Sequence, residues 1–326
     1  MRLVGVTMVR NEIDVIEAFV RHNLSILDAL SIVDHGSFDG TSEILEKLRA
    51  EGLPLRITRD SNPAYLQSET MTSLAHEAFG REGADFVFAL DADEFLKVES
   101  RDVLERTLAE VPRGMHALMH WLTYVPDAFD DDAFGPGHLW WRLKTERLGL
   151  GKVIISRALV DHPAHVVMGN HAVLSGPEGD IQQHARPRPD AVALAHCPVR
   201  SRRQLESKII VGYLAKLRSK LTDRRLARHW RQLYEELRAG AIFGERRLRE
   251  VASNYGLPQE NWRPVDEIEL VEDPVRLAAE QRYSGEGARD PLYLLLRFTE
   301  ILVDEERAYL ADAPESDALA VQYVRL

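Results

Sequence analysis

Short apolar runs alternate with amphipathic stretches through the first 90 residues of the chain. The apolar runs are rich in β-branched and aromatic residues and predict strands at residues 3–9, 30–33, 55–58 and 86–90. Between them, apolar residues recur at helical spacing and predict helices that begin near residues 13, 41 and 67. The resulting β-α-β-α-β-α-β order is typical of a parallel sheet with helices on both faces.

The pattern of the chain changes near residue 200. Before that point, further apolar runs predict strands at residues 114–122, 140–142, 152–155 and 191–195. From Gln204 onward the apolar residues follow helical spacing, and a late helix is predicted over residues 291–310. We therefore predict an α/β domain over residues 1–200 and a helical C-terminal region over residues 201–326.

The apolar run at residues 86–90 ends abruptly in acidic residues. Its continuous apolar pattern predicts a central strand buried on both faces, and open α/β sheets bind ligands at the carboxyl ends of such strands. Asp91 and Asp93 flank the small residue Ala92, so both carboxylates can face one hard cation. Mg²⁺ and Mn²⁺ favour such oxygen ligands, often together with phosphate oxygens. A solvated turn is the plainer interpretation, because Asp is also common in turns.

Two other polar loops follow predicted strands in the same way, at residues 10–12 and 34–39. The carboxyl ends of parallel strands share one edge of a sheet, so these loops and residues 91–94 are expected to meet there. The sequence therefore predicts a nucleotide site at this edge.

Composition and charge narrow the class of protein. The chain has 326 residues and a net charge of −11, which disfavours nucleic-acid binding by the surface as a whole. Its single cysteine, Cys197, excludes an internal disulfide and suits a reducing compartment. The first apolar run is too short for a signal peptide, and no run approaches the ~20 apolar residues of a membrane span. We expect a cytoplasmic protein, with peripheral membrane contact left open.

Positive charge is concentrated at residues 200–249, which contain 15 Lys and Arg against 5 Asp and Glu. One interpretation is that this stretch attracts an anionic acceptor, such as a lipid-linked phosphate or an acidic glycan, or a membrane surface. The other is that it faces the acidic remainder of the protein or a partner chain.

Three segments, in this order, resemble the signatures of glycosyltransferase family 2-like proteins with the GT-A fold. They are VTMVRNE at 6–12, VDHGSFDGT at 33–41 and LDADEF at 90–95. The first and last are most similar to the subgroup related to family 92. The resemblance covers about residues 1–125, with a weaker similarity that begins at His196. It implies a Rossmann-like, mostly parallel sheet and the transfer of a sugar from a nucleotide-sugar donor to an acceptor, with inversion.

The resemblance also implies which residues form the site. Asp91 and Asp93 would bind Mn²⁺ or Mg²⁺, and the cation would hold the diphosphate of the donor. The loops after the first two strands would contact the nucleotide through Thr7, Val9, Arg10, Asn11, Glu12, Asp34, His35, Gly36, Ser37 and Asp39. His35 departs from the family, in which many members have a second Asp that meets the base. Since an imidazole cannot replace that carboxylate, the sequence does not assign uridine.

Other side chains are candidates for contact with the metal and the diphosphate. GT-A proteins often take a third metal ligand, frequently His, from this part of the chain, and His196 occupies that position. A core or helix-capping histidine is the alternative. Gln67 is a further candidate for contact with the donor. Basic groups that could stabilise the leaving diphosphate are Arg10, Lys152, Arg200 and Arg202.

An inverting transfer needs a base within reach of the acceptor hydroxyl. The candidates are Glu94, Asp161 and His171, with His162 and Asp190 in reserve. His171 follows Gly169, and glycine allows the backbone to approach a ligand. Trp140 and Trp141 are candidates for stacking on a sugar or base, but adjacent strand residues face opposite sides and at most one can do so.

Two other functions stay open from the sequence. A nucleotidyltransferase could use the same two aspartates, but it would favour a glycine-rich phosphate loop after the first strand, and Arg10–Glu12 contains no glycine. A non-catalytic sugar- or nucleotide-binding protein could keep the fold, and would show neither metal affinity nor donor hydrolysis. The predicted partners are a nucleotide-sugar donor and a glycan, lipid-linked or small-molecule acceptor.

Overall fold

The computed structural model describes residues 1–130, 134–149, 151–161, 163–175, 180–188, 190–218, 228–283 and 288–312. The predicted reserve base His162 and part of the basic stretch at 200–249 lie outside these residues.

The strands are β1 Leu3–Val9, β2 Ala29–Asp34, β3 Leu55–Arg59, β4 Phe86–Ala89, β5 Glu94–Val98, β6 His116–Val125, β7 Trp141–Leu143, β8 Gly151–Ser156, β9 Ala164–Val166, β10 Val173–Ser175, β11 Asp180–Ile181, β12 His184–Ala185, β13 Val192–His196 and β14 Leu270–Glu272. The helices are α1 Ile16–Leu24, α2 Thr41–Ala50, α3 Gln67–Arg81, α4 Arg101–Ala109, α5 Ala158–Asp161, α6 Arg202–Arg218, α7 Arg228–Arg238, α8 Glu245–Ser253 and α9 Pro291–Asp312.

One large sheet organises the molecule. Its amino-terminal part is parallel, in the order β3-β2-β1-β4. β8 and then β6 continue the sheet in antiparallel fashion, while β13 lies parallel to β6 and pairs with the antiparallel strand β5. β7 and β14 extend it further, and β9 to β11 form a small separate sheet. The predicted α/β class, with a Rossmann-like parallel part and a C-terminal helical region, is confirmed.

The strands of the parallel part alternate their side chains between two helical layers. Leu3, Ile32 and Phe88 share a buried cluster with residues of α1 and α2. Val6 and Val87 point to the opposite face, where they share a second cluster with α3. This two-residue period is what a strand covered on both sides requires, and it leaves the strand ends as the place for polar chemistry.

The C-terminal helices pack directly on the α/β part. Val125 and Leu143 of β6 and β7 share a buried cluster with Leu205 of α6, Leu233 of α7 and Leu248 of α8. The division at residue 200 stays a prediction, and the core of these helices is continuous with that of the sheet. No helix in the described part of the chain is long and apolar enough to cross a membrane.

Candidate active site

A cavity of about 340 Å³ lies at the carboxyl ends of β1, β2 and β4. Its floor comes from the loops that follow these strands, and α6 supplies the opposite wall through Gln204, Lys208 and Val211. Trp230 of α7 and Tyr255 after α8 also line it. This volume falls in the usual range for small-molecule sites, and the position is where an open α/β sheet binds its ligand.

The loop after β1 is fixed by the loop after β2. The backbone N–H of Asn11 donates to Ser37 Oγ at 3.0 Å, and that of Glu12 donates to Thr41 Oγ1 at 2.8 Å. Asn11 has φ 57°, a left-handed conformation that Asn tolerates better than most residues, and its Oδ1 accepts from the N–H of Phe38. The two predicted nucleotide loops therefore meet as expected.

Two acidic residues of the second loop are used for structure. Asp34 accepts hydrogen bonds from the N–H of Ser37 and from the hydroxyl of Ser42, which occupies both of its carboxylate oxygens. Asp39 accepts from the N–H groups of Ile13 and Thr41. Asp39 still lines the cavity, whereas Asp34 is not among the lining residues. A polar turn is thus sufficient to explain Asp34.

Arg10 holds the wall of the cavity near His35. Its guanidinium donates to three backbone carbonyls, those of His35, Asn62 and Pro63. Burial lowers the pKa of Arg10 to about 10 and that of His35 to about 4, so Arg10 is charged and His35 neutral at pH 7. Because three of the five N–H donors of Arg10 bond to the backbone, fewer remain for its predicted contact with phosphate.

Asp91 lies at the cavity surface with both oxygens engaged. Its Oδ1 accepts from Gln67 Nε2 at 2.9 Å and from Asn170 Nδ2 at 3.2 Å. Its Oδ2 is 2.5 Å from Lys152 Nζ, which also lies 2.8 Å from Glu94 Oε1. Lys152 is almost fully buried, so the pair of carboxylates compensates the cost of burying its charge.

Asp93 is buried among three other charged or polar groups. Its Oδ2 is 2.6 Å from Lys208 Nζ and 3.8 Å from a guanidinium nitrogen of Arg200, and its Oδ1 is 3.6 Å from His196 Nε2. Burial opposes ionisation of Asp93, but the charge of Lys208, with smaller contributions from His196 and Arg200, holds its pKa well below the usual range. Asp93 is therefore a carboxylate at neutral pH.

Arg200 connects Asp93 to the loop after β1. The side chain is 1% exposed, and its guanidinium donates to Asp14 at 2.6 and 3.0 Å and to Glu12 Oε2 at 2.6 Å. A planar guanidinium with several donors suits this bidentate contact. Arg200 thus aligns the start of α6 with the edge of the sheet.

These contacts place three cationic side chains among carboxylates. Lys152, Lys208 and Arg200 are surrounded by five carboxylates, namely Glu12, Asp14, Asp91, Asp93 and Glu94. Burial raises the pKa of Glu12 to about 7 and that of Glu94 to about 8. At pH 7 Glu94 is therefore largely protonated and Glu12 partly so, and a bound divalent cation would favour their ionised forms.

The same residues offer a chemically suitable donor set for a cation. Asp93, Glu94 and His196 each present one ligand atom, and these atoms lie within 4.8 Å of one another. Two carboxylates and an imidazole suit Mn²⁺ or a similar divalent ion. Asp93 and His196 are brought together as predicted, and Glu94 joins them. Asp91 is beside this group and bonds to Lys152.

His171 and Trp121 form the next part of the cavity wall. Their rings stack with centroids 5.4 Å apart, and His171 Nδ1 lies 2.8 Å from the carbonyl oxygen of Gly151. A carbonyl only accepts, so Nδ1 carries the proton and Nε2 keeps a lone pair. Gly169 has φ +81°, and a Cβ there would lie 2.8 Å from the His171 ring. Glycine is therefore required for this arrangement.

Most of the predicted site residues line the cavity. Those that do are Arg10, Asn11, Glu12, His35, Asp39, Gln67, Asp91, Ala92, Asp93, Lys152, His171, His196 and Arg200. Those outside the lining set are Thr7, Val9, Asp34, Gly36, Ser37, Glu94 and Asp161. Glu94 is fully buried beneath Asp91, and Asp161 is exposed at the end of α5, so neither is placed to contact an acceptor.

Several lining residues were not predictable from the sequence. Lys208, Tyr65, Trp121, Trp230 and Tyr255 line the cavity, but they lie far apart in the sequence and carry no motif. Trp140 and Trp141 were the predicted stacking residues, and neither is in the lining set. Trp140 is 38% exposed at the end of a short 3₁₀ turn, and Trp141 begins β7 at the far end of β6. A pair of adjacent aromatic residues therefore did not indicate which aromatic side chains line the cavity.

Several residues of the basic stretch at 200–249 contact acidic groups. Arg200 and Lys208 contact the carboxylates of the site, Arg247 contacts Glu236, and Arg246 contacts Asp266. These pairs favour the second interpretation of the stretch, that it faces acidic parts of the same protein.

We expect the neutral state of His35 to make stability depend on pH. An unfolded His35 takes up a proton near pH 6.5, whereas the folded one stays neutral down to about pH 4, so the unfolded state binds more protons between these values. Stability is therefore lost as pH falls. Between pH 6.5 and 5, the wild type should lose about 1.5 kcal/mol more than His35→Gln in urea unfolding. Equal losses in both proteins would show that His35 titrates normally.

No protein-family model and no curated protein matches the sequence. Among solved structures, S. aureus TarS aligns with a TM-score of 0.37 and 15% identity, over 80% of this chain and 46% of that one. Glucosyl-3-phosphoglycerate synthase from Mycobacterium tuberculosis, in complex with Mn²⁺, UDP and glucosyl-3-phosphoglycerate, aligns with a TM-score of 0.26 and 20% identity, over 37% and 43%. A putative glucose-1-phosphate thymidylyltransferase from Bacillus anthracis aligns with a TM-score of 0.29 and 9% identity, over 71% and 83%.

The chain spans less than half the length of the TarS and synthase chains. All three TM-scores are below 0.5, a level that establishes neither a common family nor a common activity. The geometry of the cavity therefore carries the proposals that follow.

Proposed function

We propose that this chain is a metal-dependent glycosyltransferase that uses a nucleotide-sugar donor. The observation that carries the proposal is an acidic cluster at the carboxyl edge of the sheet, where Asp93 and His196, which line the cavity, and the buried Glu94 present three ligand atoms within 4.8 Å. The carboxylates of this cluster would repel a diphosphate, so a divalent cation is needed to bind one there.

Positively charged side chains of the protein would then help to stabilise the leaving diphosphate. Bound Mn²⁺ or Mg²⁺ supplies Lewis-acid stabilisation of the departing phosphate oxygens. Lys152, Lys208 and Arg200 line the same cavity and bring three positive charges to it. The contacts of Lys152 with Asp91 and of Arg200 with Asp14 hold these two side chains in position before any ligand arrives, which is the preorganisation that charge stabilisation requires.

We propose His171 as the base toward the acceptor. It lines the cavity, and its Nδ1–H is fixed by the carbonyl of Gly151, which leaves the Nε2 lone pair to accept the proton of an acceptor hydroxyl. Burial lowers the pKa of His171 to about 4, so it is neutral at pH 7. We propose an inverting transfer to a glycan, lipid-linked or small-molecule acceptor.

The loop after β1 favours this function over nucleotidyl transfer. A phosphate-binding loop needs backbone N–H groups that point into the site. Here the N–H groups of Asn11, Glu12 and Ile13 donate to Ser37, Thr41 and Asp39 instead. The diphosphate would therefore be held by side chains and a cation at the end of β4.

Calorimetry with a panel of nucleoside diphosphates tests the proposed function. UDP, GDP, CDP, ADP and dTDP are titrated into the protein with Mn²⁺ and with EDTA, and the matching nucleotide-sugars are assayed for hydrolysis. At least one nucleotide should bind only with Mn²⁺, and its sugar derivative should be hydrolysed or transferred. Equal binding in Mn²⁺ and EDTA would refute metal dependence, and binding of every nucleotide without hydrolysis would favour a non-catalytic protein.

A further inference from the structure

Lys208 lies in a position that no motif of the sequence predicts. It projects from α6, its side chain is 20% exposed, and it lines the cavity opposite the sheet edge. Its Nζ is 2.6 Å from Asp93 Oδ2 and 5.7 Å from the centre of the Tyr255 ring. An ammonium group on a long flexible stem can change its partner without a change in the backbone.

Asp93 belongs both to an ion pair and to the candidate metal-ligand cluster. It is the carboxylate that Lys208 neutralises, and it is also one of the three residues whose ligand atoms converge with those of Glu94 and His196. A guanidinium nitrogen of Arg200 also lies 3.8 Å from Asp93, so Lys208 is not the sole counterion of Asp93. A cation bound by Asp93 and the ammonium group of Lys208 would repel each other at this separation.

We propose that Lys208 is an exchangeable counterion of Asp93. Lys208 releases Asp93 when a divalent cation binds there, and it then contacts the phosphates of the ligand. This inference rests on the proposed function and adds to it a residue that couples the metal site to the diphosphate. Lys208 keeps Asp93 neutralised while the site has no cation. Once released, it contributes its positive charge to the same cavity, on the wall that faces the acidic floor.

The proposal makes Lys208 act in opposite directions on two ligands. Without its ammonium group, Asp93 has one competitor fewer, so a divalent cation should bind more tightly. A diphosphate bound together with that cation loses one positive contact, so it should bind more weakly. A lysine that only supports the fold would not produce this pair of opposite effects.

Lys208→Met tests the proposal with two probes, Mn²⁺ alone and inorganic pyrophosphate in saturating Mn²⁺. Free Mn²⁺ is measured by electron paramagnetic resonance, and pyrophosphate binding by calorimetry. We expect Mn²⁺ affinity to rise by at least about tenfold and pyrophosphate affinity to fall by at least about tenfold. Lys208→Gln serves as a second variant, and circular dichroism in EDTA confirms that each protein is folded.

Two matched variants distinguish the effect of the contact between Lys208 and Asp93 from the effect of any positive charge in the cavity. Lys216→Met removes a lysine two turns further along α6, whose ammonium group lies 4.1 Å from the centre of the Trp230 ring. It lines the same cavity, and its loss should change Mn²⁺ affinity by less than about threefold. Lys208→Arg keeps the charge and should retain most of the pyrophosphate affinity.

Each outcome decides the proposal. Opposite shifts for Mn²⁺ and pyrophosphate in the folded Lys208 variants support it. Unchanged Mn²⁺ affinity, or shifts of both ligands in the same direction, overturns it while the proposed function stands. If neither the wild type nor Lys208→Met binds Mn²⁺, the proposed metal dependence fails together with this inference.

Discussion

Asp93→Asn is expected to reduce Mn²⁺-dependent binding of a nucleoside diphosphate by at least about a hundredfold, which corresponds to about 2.7 kcal/mol. The amide keeps the size of the side chain but removes the negative charge that a cation needs. It also leaves Lys208 and Arg200 without the carboxylate that they share. Calorimetry with the nucleotide that binds best to the wild type, in Mn²⁺ and in EDTA, measures the loss.

Asp102→Asn is the matched control for this experiment. Asp102 is an exposed carboxylate in the first turn of α4, so the same chemical change should leave nucleotide affinity within about twofold of the wild type. If Asp93→Asn binds the nucleotide and Mn²⁺ as tightly as this control does, Asp93 is not a metal ligand, and the proposed function loses its main support.

Asp14→Ala should destabilise the fold by about 3–5 kcal/mol, because it leaves the buried charge of Arg200 without its bidentate partner. Arg200 is 1% exposed, so water cannot replace the lost carboxylate. Glu12 would remain as a partner, and its single contact is too little to compensate for two. Urea unfolding at pH 7 measures the change in the free energy of unfolding.

An exposed pair provides the comparison for this loss. Arg238 is 72% exposed and lies 3.5 Å from Glu235 on α7, so Arg238→Ala should change the free energy of unfolding by less than about 0.5 kcal/mol. A similarly small change in Asp14→Ala would show that Arg200 reaches water or another partner when Asp14 is removed. The buried contact would then have no special part in positioning α6.

The first half of the fold was predictable because its strands are buried on both faces. Such strands give continuous apolar runs, and β1, β2, β3 and β4 all begin within one residue of their predicted starts. β5 was missed, since Glu94 and Lys97 interrupt its apolar pattern. Glu94 belongs to the acidic site and Lys97 contacts Asp273, so tertiary contacts set this strand and its pairing with β13.

Only the site residues that local sequence marks were predictable. Asp91, Asp93 and the loop after β1 stand at strand ends, and this local position marks them as ligand-facing. Lys208 and Trp121 have no such local signal, because their place in the cavity depends on how α6 and β6 pack. Asp34 shows the converse ambiguity, because the hydrogen bonds of a turn have the same sequence pattern as a ligand contact.

The cavity has a floor from the sheet and a roof from α6, α7 and the segment after α8, and this division affects how the protein could be re-engineered. Side chains of the roof, such as Val211 and Trp230, can be exchanged without touching a carboxylate of the floor. Under the proposed function, libraries aimed at a new acceptor would therefore vary such roof side chains and leave Lys208 unchanged. Those aimed at a different nucleotide would instead vary the neighbourhood of His35.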